Sequence, residues 1–589
     1  VAILVLLGWA SCAEAQLDST RYIPIDQVRP GLPAYCLTVY QGTDIEKFGL
    51  EVIGVVRNYQ PGRDIILVKG TDPRFLHTGP VGGCSGSPVY IDDRLAGALS
   101  SAWFYSKDPL YGVTPIEEML AVGQETSPRQ SQPVALSFDL SRPLDLAQVY
   151  QQVLSAGPST RPSSTGLAAL PLPLVACGLT SPAAEIVQGL LAPLGLATVT
   201  GGSSAQAPAY EDAELKPGSV LAVPLVTGDI QLIIMGTVTE VLGDKVYGFG
   251  HAFLGYGAVD LPMASGYVST VVASLQRSFK LGNALQIKGA LHTDEAAAVY
   301  GQLGAEPKMI PLTIRVRRYN DTERLYNCRV AVNRLLTPAL VNAALVGAVL
   351  VRGELPPDHV LSYQVDIALA GGDSITFHNL SCGTGLLDLN LQSTGPIALI
   401  MNNPYQQVDI TSMSFDVQVA AENILSRIWS VEVSDSQVEP GQVVEVQVVI
   451  ESYLSRRQTY RYKLQIPPDL PKGKYTLTVS GAADYQKFVA EAAPDQFTAE
   501  DLPSLIEAIN NLAGIPDDEL YLVLSLPAGG LTIQRAVLPD LPASKAIVLT
   551  DDKRTLQTKA YQSWVQGRLA VGTIVTDKKT VEITVEQPD

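Results

Sequence analysis

The sequence predicts a mainly β protein of several domains, on three observations. Its 589 residues exceed what one hydrophobic core organises, so three or four domains are expected. Hydrophobic residues make up 46% of the chain and charged ones only 17%, the balance of a folded protein. Short apolar or alternating runs bounded by Gly, Pro, Asp and Ser recur along most of its length, which is the pattern of strands and turns. The formal net charge of −18 disfavours nucleic acid and anionic membrane surfaces, and no basic run reverses it locally.

Residues 1–15, VAILVLLGWASCAEA, are an apolar stretch ending in Ala13-x-Ala15 and read as a signal peptide, with its basic start expected upstream of Val1. Cleavage after Ala15 is the favoured reading. Lipid attachment at Cys12 is the competing one, although Trp9 stands where lipoprotein signals carry Leu. No later segment has the ~20 apolar residues of a membrane helix. The mature protein is therefore expected to be exported, periplasmic or extracellular, with no integral membrane span.

Residues 16–126 are strand-dense, with runs at 34–40, 49–59 and 65–69, a hairpin at 88–101 and a helix at 115–122. Ser, Pro and Gln accumulate after this point, so residues 127–214 read as a connector with short helices at 144–154 and 183–194. Strands resume in residues 215–425, at 219–226, 231–241, 245–249, 309–318, 328–332, 362–369 and 415–420, with a helix at 338–350. Residues 426–495 hold three alternating runs, VEPGQVVEVQVVIE, YRYKLQIP and GKYTLTVSG, the pattern of an immunoglobulin-like β-sandwich. Residues 496–589 open on a helix at 501–512, end in strands and read as a small C-terminal α/β region.

The most chemically pointed stretch is Gly83-Cys84-Ser85-Gly86-Ser87-Pro88-Val89-Tyr90, which sets a hydroxyl in a tight glycine turn just before a strand. Glycines there allow backbone N–H groups to converge, and those of Gly83 and Ser85 are the candidate oxyanion-hole donors. Cys84 is expected to turn its side chain inward as a small filler. A serine needs a base, and five histidines are available: His77, His251, His292, His359 and His378. His251, in KVYGFGHAFLGYGAVDLPM, sits at a glycine-flanked strand end from which a side chain can enter a cleft. His359 and His378 have ordinary polar surroundings, and His77 stays open because it is near Ser85 in sequence. Five scattered cysteines remain beyond Cys12 and make no disulfide framework, and no ligand motif suggests zinc. No metal and no cofactor are expected.

Position for position, SGSPVYIDDRLAGALS resembles the SGGP-strand-turn-LxGxxS hairpin of chymotrypsin-like peptidases. Together with FGLEVIGVV, ILVKGTDPRFLHTGPVGG, SAWFYSKDPLYGVTPIEEML and GDKVYGFGHAFLGYG, it resembles the SpoIVB-type serine peptidase family of bacteria. The resemblance implies Ser85 as nucleophile, His251 as general base, Asp72 of the TDPRFL segment as the carboxylate orienting the histidine, and Ser100 as a supporting hydroxyl. Asp260 is the runner-up carboxylate. The serine half here precedes the histidine half, opposite to the sporulation enzyme, so the implied fold is a chymotrypsin-like double β-barrel of permuted halves sharing one cleft. No PDZ segment is recognisable.

The implied activity is that of an exported serine endopeptidase, a hydrolase cleaving envelope or secreted proteins and its own connector, with a protein or peptide as its partner. The alternative is a non-catalytic envelope binding or scaffold protein that retains the peptidase fold. Geometry discriminates them: the peptidase needs Ser85 Oγ within hydrogen-bond reach of His251 and a carboxylate on the far ring nitrogen.

Overall fold

The computed structural model describes residues 17–103, 106–124, 136–155, 166–202, 213–533, 535–550 and 558–586. The predicted signal peptide at 1–15, with Cys12, lies outside the described residues, as do parts of the connector. The protein is mainly β, with 49% of residues in strands and 20% in helices.

The first unit contains β1 (Pro33–Val39), β2 (Ile45–Gln60), β3 (Arg63–Gly70), the short helix α1 (Pro73–Thr78), β4 (Val81–Gly82), β5 (Pro88–Ile91), β6 (Arg94–Ala102), β7 (Leu110–Pro115) and helix α2 (Ile116–Ala121). Strands pair in the order β5-β1-β2-β3-β7-β6, and β6 returns to β5, closing a six-stranded barrel. Closure leaves one side of β6 open only beyond its pairing with β5, at Ser101–Ala102. Alternation along the strands sends Cys36, Phe48, Leu50, Ile66, Val68, Tyr111 and Val113 into one core.

Helix α3 (Leu146–Ser155), β8 (Ala168–Ala169), β9 (Pro173–Cys177), α4 (Ser181–Leu191) and β10 (Ala197–Thr200) make up the described part of the connector. These elements are integrated into the fold. β8 lies antiparallel on β6, with Ala169 opposite Ser101 and Ala168 opposite Ala102, while β9 and β10 join the second sheet.

That second sheet begins with β11 (Val220–Gly228), β12 (Gln231–Leu242), β13 (Lys245–Gly248), β14 (Gly257–Val272), β15 (Ser278–Glu295) and β16 (Ala298–Leu303). Their pairings run β12-β13-β16-β15-β14-β11 and close through β11–β12, a second cycle of six strands. Beyond β11 the sheet is extended by β17 (Met309–Arg318), β18 (Arg324–Ala331), β19 (Val360–Leu369), β20 (Ser374–Cys382) and β21 (Ile410–Ala420). Helix α5 (Leu336–Val349) is apolar on every side and buried throughout, packed between α4 and α6 (Leu387–Met401).

Beyond residue 424, strands Leu425–Val433, Val443–Ser452 and Arg456–Gln465 form one antiparallel sheet. Gly473–Ser480 pairs instead with Glu519–Ile533 and Lys578–Val585 in a second sheet. Ile428, Val446, Leu477, Leu522 and Ile583 share a core. Strands of the predicted C-terminal region thus complete a two-sheet stack with strands of the predicted immunoglobulin-like module.

The two six-stranded cycles are stitched together around the serine turn. Val81 and Gly82 of β4 pair in parallel with Ser278 and Phe279 of β15. Gly42 and Val268 exchange backbone hydrogen bonds of 2.7 and 2.9 Å. Buried Glu240 accepts from Arg21 at 2.8 Å and from the Tyr22 hydroxyl at 3.3 Å.

At Gly86 the backbone angle φ is +90°, and an added Cβ would lie 2.1 Å from the Thr237 carbonyl oxygen and 2.4 Å from the Phe249 nitrogen. Strain and overpacking each cost about 1–3 kcal/mol, so Gly86→Ala is expected to lose about 3 kcal/mol or more. Denaturant unfolding measures it, and an unchanged midpoint would contradict this packing.

Candidate active site

The turn bearing Ser85 is fixed by the strand that crosses behind it. The Ser85 carbonyl accepts from the Thr237 N–H at 2.8 Å, the Gly83 carbonyl from the Thr237 hydroxyl at 2.9 Å, and the Gly86 carbonyl from the Thr239 hydroxyl at 2.7 Å. On the other side the Gly86 N–H donates to Leu99 of β6 at 2.8 Å, and the Ser87 hydroxyl donates to the Cys84 carbonyl at 2.7 Å. Lys280 is wholly buried beneath this turn. Its ammonium donates to Thr38 Oγ1 at 2.7 Å and to Thr237 Oγ1 at 3.3 Å, and burial draws its pKa down. The Lys280 stem also packs where a Cβ on Gly83 would stand, 3.1 Å away.

His251 is delivered from the second cycle. After β13, Phe249 and Gly250 take φ of +66° and +69°, and a bulky side chain held there is a real outlier from ordinary backbone geometry. The kink presses Gly250 against Ala98, Leu99 and Ser100 of β6, and the Thr114 hydroxyl donates to the Gly250 carbonyl at 2.6 Å. His251 Nε2 then stands 2.8 Å from Ser85 Oγ, although 166 residues separate the two in sequence. Its Nδ1 faces the Ala252 carbonyl at 2.6 Å. A carbonyl can only accept, so the proton sits on Nδ1 and the Nε2 lone pair meets the Ser85 hydroxyl. Burial lowers the His251 pKa from 6.5 to about 4, with Arg63 adding to the shift and the Ala252 and Leu170 carbonyls opposing it.

The loop that follows is clamped by Asp294, which is buried and accepts from the N–H groups of Phe253, Leu254 and Gly255 at 2.6, 2.7 and 2.8 Å. Burial pushes the Asp294 pKa up, against the pull of those donors.

Of the residues singled out in the sequence, the structure brings Ser85 and His251 together and places Asp72 elsewhere. Asp72 caps α1, accepting from the Arg74 N–H at 2.9 Å, and is paired with the Arg74 guanidinium, which holds its carboxyl below the usual range. The expectation that Asp72 orients His251 is corrected on this point, because an Asp-Pro-Arg helix start satisfies its carboxylate locally. Asp260 accepts from the Lys308 N–H at 3.2 Å and is likewise engaged away from the ring. Ser100 is buried with its hydroxyl on the Gly112 carbonyl at 3.2 Å, while its own carbonyl accepts from the Leu170 N–H at 2.9 Å. The Gly83 N–H donates to the Pro171 carbonyl at 3.2 Å. His77 is exposed on α1, and His359 bridges the Pro356 carbonyl and the Gly385 N–H. Cys36, Cys84, Cys177, Cys328 and Cys382 are buried free thiols. Lys280, Asp294 and the segment at 168–171 belong to no motif that sequence reasoning picks out. The one signal available was that Asp294 and Lys280 are charges inside otherwise strand-like runs.

A cleft of about 810 Å³ runs between the two cycles, walled by Arg63, Ser100, Thr114, Leu170, His251 and Phe253. Ser85 is fully buried just behind that wall. A buried serine hydroxyl on a glycine turn, hydrogen-bonded to an unprotonated imidazole nitrogen, is the arrangement of the serine-peptidase class. Residues 13–120 match the family model of SpoIVB peptidase S55, so this segment is similar to that family. The matched segment includes Ser85 and ends well before His251. No match to a curated protein or to a solved structure reaches significance.

The His251 ring is expected to titrate near pH 4 by NMR. Between pH 6.5 and 4 the unfolded chain takes up the proton that the folded protein resists, so acidification through this window lowers stability. An unshifted ring pKa near 6.5 would contradict the burial of this site.

Proposed function

We propose that the protein is an exported serine endopeptidase of the SpoIVB type, acting on envelope or secreted proteins through Ser85 and His251. The observation that carries this reading is the 2.8 Å contact between Ser85 Oγ and His251 Nε2, made by side chains from two halves of the chain. Two closed six-stranded cycles packed about that contact support a chymotrypsin-like double barrel with its halves in permuted order.

In this scheme Ser85 Oγ attacks the substrate carbonyl carbon and its proton passes to His251 Nε2. The developing oxyanion takes the N–H groups of Gly83 and Ser85, and the leaving amine collects the proton from His251. Water then cleaves the acyl ester by the same route in reverse. Ala252 acts as a positioning residue, its carbonyl holding the tautomer that a carboxylate holds in a full triad. A dipole stabilises the imidazolium less than a charge does, in keeping with the low pKa of this histidine. Within the chain itself, the connector segment at 168–171 is the one positioned to meet Ser85.

The second reading, a non-catalytic binding or scaffold protein, is favoured by two observations: the far ring nitrogen has a carbonyl where a carboxylate is usual, and Ser85 is fully covered. Fluorophosphonate labelling separates the two. Prolonged incubation is expected to modify Ser85, as mapped by peptide mass spectrometry, with no adduct in Ser85→Ala and at least ~100-fold slower modification in His251→Ala. The rate should rise as His251 loses its proton, half-maximal near pH 4 and flat above pH 6.5. Absence of any Ser85 adduct, even with the covering strand displaced, would leave the scaffold reading as the better account.

Asp72→Asn is expected to keep the labelling rate within about twofold, since its carboxylate serves Arg74 and the start of α1. A loss of about a hundredfold would restore Asp72 to the site.

A further inference from the structure

We propose that residues 168–171 occupy the acyl-side substrate groove as a built-in, non-productive peptide, and that the groove selects chains with leucine at the cleavage position. The inference rests on the peptidase reading given above. It starts from β8, a two-residue strand paired with the Ser101–Ala102 end of β6, beyond the reach of β5. Added strands are a common way for proteins to bind extended peptides, main-chain bonds giving affinity and side-chain pockets giving selectivity. Here the added strand aims at the nucleophile. Its pairing with β6 ends in the 2.9 Å bond from the Leu170 N–H to the Ser100 carbonyl, and the next group along, the Leu170 carbonyl, lies 3.2 Å from Ser85 Oγ.

Side-chain placement gives the selectivity. Leu170 is 1% exposed and belongs to the barrel core with Leu99, Tyr111 and Val113, so the pocket beside Ser85 is apolar and filled by a leucine. Ala168 is partly buried and Ala169 exposed, so the discrimination rests on the enclosed Leu170 position.

Two features keep this strand uncleaved. The candidate oxyanion donor Gly83 holds the carbonyl of Pro171, one residue beyond the carbonyl that faces Ser85, so the attacked group and the donor are out of register. The bond after Leu170 is also a tertiary amide, whose nitrogen is crowded by the proline ring as it must receive a proton from His251. Ser85, fully buried beneath Leu170 and Pro171, stays inaccessible until the strand leaves the groove.

The test uses the full chain and its variants with simple chemical probes. Leu170→Asp cannot keep a carboxylate in the apolar pocket and should speed fluorophosphonate labelling of Ser85 by about tenfold or more. Pro171→Ala changes a partly exposed residue, spares the pocket, and supplies an ordinary secondary amide. In that variant Ser85 Oγ can form an ester with the Leu170 carbonyl as the peptide bond that follows Leu170 breaks. The amine released at position 171 takes the proton from His251, and water then frees the Leu170 carboxylate. With the Gly83 N–H still on the carbonyl of residue 171 the cut is slow, so intact-mass analysis over prolonged incubation should find a minor pair of fragments divided after Leu170, absent when Ser85→Ala is added.

Peptidyl phosphonates ending in Ala-Ala-Leu should modify the Leu170→Asp protein about tenfold faster, or more, than those ending in Ala-Ala-Lys or Ala-Ala-Glu. If Leu170→Asp does not fold, the wild-type phosphonate ranking and the Pro171→Ala fragments decide alone. Ser85 labelling that is equally fast in wild type and variants, with no leucine preference and no cut after residue 170, overturns this inference and leaves the peptidase reading standing. No adduct in any variant overturns both.

Discussion

The structure depends on one close approach, that of the Gly83–Gly86 turn to the backbone of β12 and the Phe249–Gly250 kink. Carbonyls of Gly83, Ser85 and Gly86 are each taken by Thr237 or Thr239, groups from the other half of the molecule. Such bonds contribute about 1 kcal/mol each, but they also fix where the serine turn stands relative to the strand that carries His251. Neither half could hold the 2.8 Å Ser85–His251 contact alone. The glycines follow from this constraint: no side chain fits between Gly86 and the Thr237 carbonyl, and a Cβ on Gly250, at φ +69°, would crowd Ala98 of β6 at 3.1 Å.

From that contact the chemistry divides into what is prepared and what is withheld. The histidine is in the receptive tautomer, its following loop is pinned by Asp294, and the turn is braced from below by Lys280. A buried amine with two threonine hydroxyls and, among the described residues, no carboxylate partner is an expensive device, and it stands directly under the residue that would supply an oxyanion donor. What is withheld is access. The chain's own strand covers the serine and takes the Gly83 N–H, which in the proposed peptidase is a groove already filled.

Much of the fold is legible locally and much of the site is not. The hairpin at Pro88–Ala102 reads directly from PVYIDDRLAGALSSA, because its turn residues and apolar runs are contiguous, and Met309–Arg318 alternates cleanly enough to be bounded from sequence. β14 and β15, at 16 and 18 residues, give no such signal. Their pairing shifts register at several bulges, and Lys280, Asn283 and Asp294 are buried polar residues that break the apolar pattern. The connector reads as loose from its Ser and Pro content, yet its strands are held by partners far away in sequence, a tertiary effect that local composition does not carry. The same holds for the third member of the site: TDPR resembles the family's carboxylate segment, but Arg74, two residues on, claims Asp72 for itself.

The central claim is that Ser85 and His251 form one reacting unit across the two halves. A crystal structure of the protein after reaction with a leucyl phosphonate tests it most directly. The account predicts phosphorus bonded to Ser85 Oγ, a phosphoryl oxygen within hydrogen-bond distance of the Gly83 N–H, His251 Nε2 still beside the adduct, and residues 168–171 displaced from β6. Phosphorus on any other residue, or an adduct on Ser85 with His251 turned away and the strand still seated, would contradict it.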